Sequence, residues 1–218
     1  MITRRHYRAC LKPRTDQKTM LQAALELDKS TVSEAIKGGK CLTVAIYQHK
    51  DMLFLYYESL MEDLKPEALF KETSKELELW PEKDGKTPWA YMYNIYYHSI
   101  PESVDQWERN SKKKRRGRIA YLYPEKLFSY TYYHKAIVDE GLLDGDKYQS
   151  IALHENILFS YFEEPKSMTH IKKESKEASK VIDEWIAKDP ESHFDHTLSG
   201  EDNFLLIEEV FSMGKEDL

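Results

Sequence analysis

The sequence is poor in cysteine and has no long apolar run, and each absence excludes a class of protein. Only two of the 218 residues are cysteines, Cys10 and Cys41, which is too few for a disulfide framework. Neither lies in a CxxC motif or a His/Cys cluster, so no metal site is predicted. Apolar runs such as Leu42–Tyr47 fall far short of the roughly 20 residues that span a bilayer. With no apolar segment at the N-terminus either, we predict a cytoplasmic protein without a membrane partner.

Positive charge is also in deficit, because the formal net charge is −6. This balance argues against a nucleic-acid partner. The one basic run, SKKKRRGR at Ser111–Arg118, has no interleaved aromatic residues and is interpreted as a solvated linker. What the chain does have in excess is 15 tyrosines and 4 tryptophans, whose rings suit either a core or a ligand pocket.

One pattern of residues occurs twice. The segments Cys41–Ser59 and Lys147–Glu164 each contain two apolar runs that are separated by a short polar turn. The second runs, MLFLYYE and ILFSYFE, share the string Leu-Phe-x-Tyr-aromatic-Glu. Short β-rich runs around a polar turn are typical of a β-hairpin, so the chain is predicted to contain two related hairpins.

The segments before the two hairpins also match. Asp16–Lys37 and Glu125–Glu140 have apolar residues at helical spacing, and glycines follow both. Each predicted helix comes after a candidate strand, Thr3–Lys12 in the first half and Arg118–Tyr123 in the second. The beginning of each half is therefore predicted to be strand, helix and hairpin.

A second helix is predicted after each hairpin, at Pro66–Leu79 and at Thr169–Lys188. A last strand is predicted at Asn203–Phe211, with a counterpart near Ser103–Arg109 in the first half. The order is β-α-β-β-α-β twice, which is the ferredoxin-like pattern.

The predicted fold class is therefore α+β, with two ferredoxin-like halves. A ferredoxin-like sheet has helices on one face only, so its other face needs a cover. Two such halves can supply it by packing sheet to sheet as a pseudo-dimeric α/β barrel. The predicted boundaries are 1–110 for the first half, 111–117 for the linker and 118–218 for the second half.

The candidate chemistry lies on the first helix of the second half. Tyr130 and His134 are four residues apart, so they are neighbours on one helix face, which Leu127 and Ile137 share. An imidazole beside a phenol can act as an acid/base pair near neutral pH. A histidine whose hydrogen bonds are satisfied within the core is the alternative interpretation.

These residues resemble a known family. The Tyr-x-x-x-His motif of Tyr130 and His134 is similar to the motif on the first helix of the L-rhamnose mutarotase family, whose members are small dimeric proteins of this fold. Tyr148 matches a tyrosine at the start of the family's second strand, and Ile157–Glu163 resembles the corresponding hairpin strand.

The resemblance implies a set of site residues. His134 would be the main proton donor and Tyr130 its catalytic partner. Tyr148, Phe194 and Trp89 would bind the substrate. Interconversion of sugar anomers needs only two proton-transfer groups, so the resemblance implies neither a metal nor another cofactor.

The implied function is that of an aldose 1-epimerase (mutarotase), an isomerase that binds a monosaccharide and works as a pseudo-dimeric monomer or a homodimer. Only the second half would carry a site, because Met20 and Ala24 replace the Tyr and His in the first. The alternative is a non-catalytic small-ligand-binding or interaction module on the same fold. Barrels of this type also host haem-linked and quinone monooxygenases, but the sequence does not assemble their usual Asn, Trp and His.

Overall fold

The computed structural model describes residues 1–83, 85–109, 111–140, 144–170 and 179–218. The chain forms two compact units. Unit 1 comprises Met1–Met92, Pro101–Lys113 and Glu208–Leu218, and unit 2 comprises Tyr93–Ile100 and Lys114–Ile207. Both units combine helices with an antiparallel sheet, so the predicted α+β class is confirmed.

The elements are numbered in chain order. The strands are β1 (Thr3–Cys10), β2 (Cys41–His49), β3 (Met52–Ser59), β4 (Trp80–Glu82), β5 (Gly85–Thr87), β6 (Ala90–Tyr91), β7 (Tyr93–Tyr97), β8 (Lys114–Tyr121), β9 (Asp144–Asp146), β10 (Ser150–His154), β11 (Ile157–Glu164), β12 (Met168–His170) and β13 (Leu205–Gly214). The helices are α1 (Gln17–Lys37), α2 (Pro66–Leu69), α3 (Lys71–Lys75), α4 (Val104–Trp107), α5 (Leu127–Glu140), α6 (Lys180–Ala187) and α7 (His196–Ser199).

The main sheet of unit 1 is antiparallel, in the order β6-β1-β3-β2-β13. The register of β1 against β3 places Arg4 opposite Glu58 and His6 opposite Tyr56. Residues 208–214 of β13 pair with β2, so the last strand of the chain completes the sheet that the first strand begins.

Helix α1 covers one face of this sheet. Its apolar residues recur three or four positions apart, which gives the helix a continuous buried stripe, and it ends before Gly39, whose φ is +66°. The stripe packs against the inward side chains of the sheet and of the short helices α2 and α3. The resulting core includes Leu21, Leu25, Val32, Ile36, Leu53, Leu55, Tyr57, Phe70 and Trp89.

The opposite face of the unit 1 sheet is buried as well. Side chains alternate along a strand, so Tyr56 and Glu58 lie on the face opposite Leu55 and Tyr57. All eight residues of β3 are nevertheless buried. The sheet is therefore covered on both faces and carries charged groups on its second face.

The main sheet of unit 2 has the order β13-β8-β11-β10-β7, and residues 205–207 of β13 pair with β8. Strand β7 pairs with β10, with a register shift between Ile151 and Ala152. Helix α5 packs on one face and buries Tyr130, Tyr133, Ile137 and Val138. The core on this face also contains Ala120, Leu122, Ile151, Leu158 and Phe194.

The predicted hairpins and first helices are confirmed. Strands β2 and β3 form one hairpin and β10 and β11 the other, and α1 and α5 lie within a few residues of their predicted bounds. The predicted strands at both starts correspond to β1 and β8, and the predicted last strand corresponds to β13.

Other predicted elements differ. The single helix predicted at Pro66–Leu79 is two short helices, α2 and α3. The strand predicted near Ser103–Arg109 is wrong, because this segment contains helix α4. The first turn of α4 is capped by Ser103, whose Oγ accepts a hydrogen bond from the backbone N–H of Gln106 at 3.3 Å. Of the helix predicted at Thr169–Lys188, the structure shows Lys180–Ala187, while residues 171–178 lie outside the described part.

The basic linker predicted at 111–117 is only partly a linker. Strand β8 begins at Lys114, and Arg115 is only 4% exposed, because pairing with β11 brings the end of the basic run into the sheet. The units also exchange segments relative to the predicted halves, since 93–100 belongs to unit 2 and 208–218 to unit 1.

Candidate functional site

The predicted pair on α5 is a stacked pair of rings. The centroids of the Tyr130 and His134 rings are 3.9 Å apart and their planes are inclined by 18°. Nδ1 of His134 lies 2.9 Å from the carbonyl oxygen of Tyr130. A carbonyl oxygen only accepts, so Nδ1 carries the proton and donates, and Nε2 keeps its lone pair.

Burial keeps His134 uncharged at neutral pH. Desolvation lowers the pKa of His134 to about 4; the hydrogen bond to the Tyr130 carbonyl acts in the opposite direction, and the nearby His193 lowers it further. The imidazole can therefore accept a hydrogen bond or a proton at Nε2. No hydrogen-bond partner of Nε2 occurs among the residues that the structure describes.

Aromatic rings surround this pair. Trp185 of α6 lies edge-on to both rings, with centroid distances of 5.7 Å to Tyr130 and 5.1 Å to His134. Tyr96 of β7 contacts His134 at 5.4 Å, and Phe194 contacts Tyr130 at 5.7 Å. Burial raises the pKa of Tyr96 to about 12, so its hydroxyl stays protonated. The cluster is apolar in body and has polar groups at its edges.

His193 packs against the Trp185 ring and helps to hold it in place. Its ring lies 4.8 Å from that of Trp185 and is 1% exposed. The Asp189 carbonyl is 3.2 Å from Nδ1, and Ser129 Oγ is 2.9 Å from Nε2. Nδ1 of His193 therefore donates to the carbonyl, and Nε2 accepts from the serine hydroxyl. Both ring nitrogens of His193 thus have hydrogen-bond partners within the protein.

Arg118 of β8 brings a positive charge to the cluster. Its guanidinium carbon lies 5.1 Å from the ring centroid of Phe162 and 4.4 Å from that of Phe204. Nε donates to Ser160 Oγ at 3.4 Å. Burial lowers the pKa of Arg118, and interaction with the Tyr130 phenol opposes that shift. Within the described ranges, no carboxylate forms an ion pair with this half-buried guanidinium.

The Tyr130 hydroxyl completes the set of polar groups. Burial raises the pKa of Tyr130 well above its ordinary value, and Arg118 counteracts part of that rise. None of the described hydrogen bonds involves this hydroxyl. Tyr130 thus stacks on His134 through its ring and interacts electrostatically with Arg118 through its oxygen. One phenol therefore has two neighbours of different character, the uncharged imidazole of His134 and the positively charged guanidinium of Arg118.

The structure brings together only part of the predicted site. Phe194 joins Tyr130 and His134, as predicted. Tyr148 is buried, with Lys147 Nζ 5.4 Å from its ring centroid. It is not one of the three rings that contact His134 among the described residues. Trp89 belongs to unit 1, where its Nε1 donates to Ser74 Oγ at 2.9 Å.

Three members of the cluster were missed from the sequence. Trp185 lies on an apolar helical stripe, which favoured a core role, and Tyr96 lies in a tyrosine-rich segment without a distinguishing motif. Arg118 was predicted as the first residue of a strand, but no role in the site was predicted for its side chain. A strand pattern does not show which face of the sheet, and so which aromatic rings, an arginine meets.

No group of three or more His, Cys, Asp or Glu side chains that could hold a metal ion occurs in the described ranges. In the same part of the chain, no helix combines the length and the apolar composition that crossing a membrane requires.

No family model matches the chain, and no curated protein matches it in sequence. Solved structures that match the chain include a candidate monooxygenase from Lactobacillus acidophilus (TM-score 0.45, 6% identity, 98% of this chain and 97% of that one). A candidate monooxygenase from Fusobacterium nucleatum gives a TM-score of 0.43 at 13% identity, over 98% of this chain and 94% of that one. An anthrone oxidase-like protein gives 0.38 at 8% identity, over 100% and 98%.

The predicted mutarotase function is wrong. The matched structures are described as monooxygenases and as an anthrone oxidase-like protein, not as sugar epimerases. The physical reason for the error is that Tyr-x-x-x-His is a short motif in a tyrosine-rich chain. Here the two rings stack on each other within a largely aromatic cluster.

Proposed function

We propose that unit 2 binds a flat aromatic molecule that carries an anionic group, and that Arg118 contacts the anion. The observation that carries the proposal is the half-buried guanidinium of Arg118, which has aromatic neighbours and no ion-pair partner among the described residues.

Two other buried or partly buried arginines of the chain have carboxylate partners. Arg109 pairs with Glu58, and Arg116, two residues before Arg118 on the same strand, pairs with Glu164 at 2.8 Å. A partly desolvated cation without a counter-charge is unfavourable. A ligand carboxylate or phenolate at Arg118 would offset that cost through charge-assisted hydrogen bonds.

The aromatic cluster favours a planar ligand. Trp185 and Phe194 each meet the Tyr130 ring edge-on, and edge-to-face contacts of this kind are also the ones that an aromatic ligand can form. The neutral Nε2 of His134 is an acceptor for a ligand hydroxyl. An aromatic acid with a ring hydroxyl would satisfy both polar groups, which makes it the first ligand class to test.

One observation favours a catalytic function at the same place. With Nδ1 held by the Tyr130 carbonyl, Nε2 of His134 can accept a hydrogen bond from a bound phenol, while the positive charge of Arg118 favours the phenolate form. A phenolate is electron-rich, and dioxygen can oxidise it. The ligand mixtures should therefore be followed by their absorbance both in air and under nitrogen, with His134→Gln as the comparison. Oxygen-dependent loss of the ligand that disappears in this variant would support catalysis.

The binding experiment is a calorimetric titration of the full chain with four probes. They are 3-hydroxy-2-naphthoate, 2-naphthoate, 2-naphthylmethylammonium and decalin-2-carboxylate. We expect the hydroxynaphthoate to bind most tightly and the naphthoate next. The flat cation should bind weakly because it lacks the anion, and the decalin acid should bind weakly because it is not flat.

The matched variants are Arg118→Gln and Arg116→Gln. Each removes one guanidinium from strand β8, but Arg116 already has its carboxylate. Arg118→Gln should weaken 2-naphthoate binding about tenfold or more, the size of a hydrogen bond to a charged group. Arg116→Gln should leave binding unchanged. Equal binding of the flat cation and the flat anion, or equal effects of the two variants, would contradict the proposal.

We also propose that the two units descend from one duplicated β-α-β-β-α-β unit, as the sequence repeat predicts. Two parallels support this. Tyr56 donates a hydrogen bond to Glu58 at 2.8 Å, and Tyr161 donates one to Glu163 at 2.6 Å, at the same place in the two hairpins. Arg4 and Arg115 lie opposite these glutamates in the register of the neighbouring strands. The sheet-to-sheet barrel stays a prediction.

A further inference from the structure

Unit 1 contains a cleft that the proposed function does not use. It lies at the end of strand β1 and has a volume of about 620 Å³. Its lining includes Cys10, Leu11, Asp51, Glu78, Leu79 and Trp80, and we call it the Cys10 cleft. A cavity of this volume is in the range of small-molecule sites.

Two carboxylates flank the cleft. The Leu11 amide donates to the Asp51 carbonyl at 2.8 Å, and the Glu78 amide donates to the Cys10 carbonyl at 2.8 Å. These bonds hold Asp51 and Glu78 next to Cys10, the last residue of β1, and to Leu11, which follows it. Within the described ranges, neither carboxylate takes part in an ion pair or a side-chain hydrogen bond.

The cation that lines the cleft is already neutralised. Arg14 Nη1 lies 2.9 Å from Oε2 of Glu76, so this arginine does not balance Asp51 and Glu78. Apart from Gln17, whose Nε2 donates to the Lys12 carbonyl at 3.3 Å, the remaining walls are apolar, aromatic or the Cys10 thiol. Leu79 is 56% exposed, and the Trp80 ring has the Arg8 guanidinium 5.1 Å from its centroid, which shows that this ring stacks on a cation.

We infer that the Cys10 cleft binds an organic cation, a primary ammonium or a guanidinium on an apolar body. The ammonium group would be placed between the carboxylates of Asp51 and Glu78, and the apolar body would pack on Leu11, Leu79 and Trp80. This combination of negative charge with an aromatic wall favours a cation over a neutral or an anionic ligand of the same shape. The site is opposite in charge preference to the one in unit 2 and lies in the other unit.

Cys10 provides a local reporter of occupancy. Cys10 is half-buried and lines the cleft. Cys41 is buried, and burial raises the pKa of the Cys41 thiol to about 12. Thiol reagents need the thiolate, so Cys41 should react slowly. The experiment measures the rate of Cys10 labelling by iodoacetamide in the full chain, with each modified cysteine identified by mass spectrometry, and binding by calorimetry.

The probes are 2-phenylethylammonium, benzamidine, 2-phenylethanol and phenylacetate, which differ mainly in charge. We expect the two cations to bind and to slow Cys10 labelling, and the alcohol and the acid to do neither. Asp51→Asn and Glu78→Gln should each weaken binding of the ammonium about fivefold, the upper value for a solvent-exposed ion pair. Glu34→Gln on the exposed side of α1 is the matched control and should have no effect.

The inference would be overturned if neither cation gave a heat of binding in the calorimeter or slowed the labelling of Cys10. Equal protection by phenylacetate and 2-phenylethylammonium would also overturn it, because the recognised feature would then be the phenyl ring alone. The Arg118→Gln variant should bind the ammonium as the unaltered chain does, which keeps this test separate from the one in unit 2.

Discussion

The imidazole of His134 lies face to face with the phenol ring of Tyr130, at a centroid distance of 3.9 Å, and is hydrogen bonded to the carbonyl of the same residue. The helix therefore fixes the tautomer of the imidazole, because the carbonyl can only accept. Tyr130 therefore holds this ring through two different contacts, and Nε2 is the ring nitrogen that the bond to the carbonyl leaves unused.

The first prediction concerns the titration of His134. Its ring signals in NMR spectra should shift near pH 4 rather than near 6.5, because burial lowers its pKa to about 4. The unfolded chain then binds more protons than the folded chain between these values, so stability should fall as the pH is lowered from about 7 toward 4. His134→Gln identifies the signals and should make stability less dependent on pH in this range.

His6 titrates in the same direction, since burial and the nearby Arg4 lower its pKa to about 3, and it remains in the variant. Part of the pH dependence should therefore survive in His134→Gln. A titration of His134 close to 6.5 would mean that its ring is hydrated rather than packed against Tyr130 and Trp185.

The second prediction concerns the buried ion pair of unit 1. Arg109 donates two hydrogen bonds to the carboxylate of Glu58, at 2.5 and 2.8 Å, and Trp107 Nε1 donates a third at 2.9 Å. Glu58→Gln leaves the Arg109 guanidinium buried without its counter-charge. The free energy of unfolding, measured with urea, should fall by about 3 to 5 kcal/mol.

The control for this variant is Glu76→Gln, which removes the carboxylate that pairs with the more exposed Arg14. That change should cost about 1 kcal/mol or less. Burial alone would raise the pKa of Glu58, but Arg109 and the other hydrogen-bond donors lower that pKa overall. The stability that the Glu58 carboxylate contributes should therefore be lost as the pH falls through the acid range below 4.5. Similar losses in the two variants would show that the Glu58 pair is solvated.

The third prediction concerns a close approach between Gly145 and His98 in unit 2. A Cβ atom at Gly145 would lie 2.0 Å from Nδ1 of His98, which is 7% exposed. Gly145→Ala should therefore destabilise the chain by about 1 to 3 kcal/mol, as overpacking does. The measurement is thermal or urea unfolding of Gly145→Ala, His98→Ala and the double variant.

In the double variant the added methyl group no longer meets the imidazole, so it should cost less than in Gly145→Ala. A coupling energy near zero between the two changes would contradict the close approach.

The sequence predicts the local elements well and their partners poorly. Helix α1 and both hairpins follow from periodicity and turn residues, which act over short distances. The pairing of β7 with β10 and of residues 208–214 with β2 does not, because a strand pattern does not specify which edge it joins. The short helix α4 was missed because a four-residue segment has no periodicity to detect.

For the candidate site, the sequence identifies Tyr130, His134 and Phe194 but not their surroundings. The i and i+4 spacing predicts that Tyr130 and His134 are neighbours, but it does not predict that their rings stack. Arg118 and Trp185 come from a strand and a helix that only the tertiary structure brings to α5. The charge of the site, and with it the class of ligand, therefore depends on contacts that no local pattern reveals.

The most direct test of the central claim is a crystal structure of the full chain with 6-bromo-2-naphthoate, using the anomalous signal of bromine to locate the ligand. We predict one bromine position in unit 2, with the carboxylate hydrogen bonded to the Arg118 guanidinium and the rings against Trp185 or Phe194. A ligand bound elsewhere, without any contact to Arg118, would contradict the proposed binding of an aromatic anion.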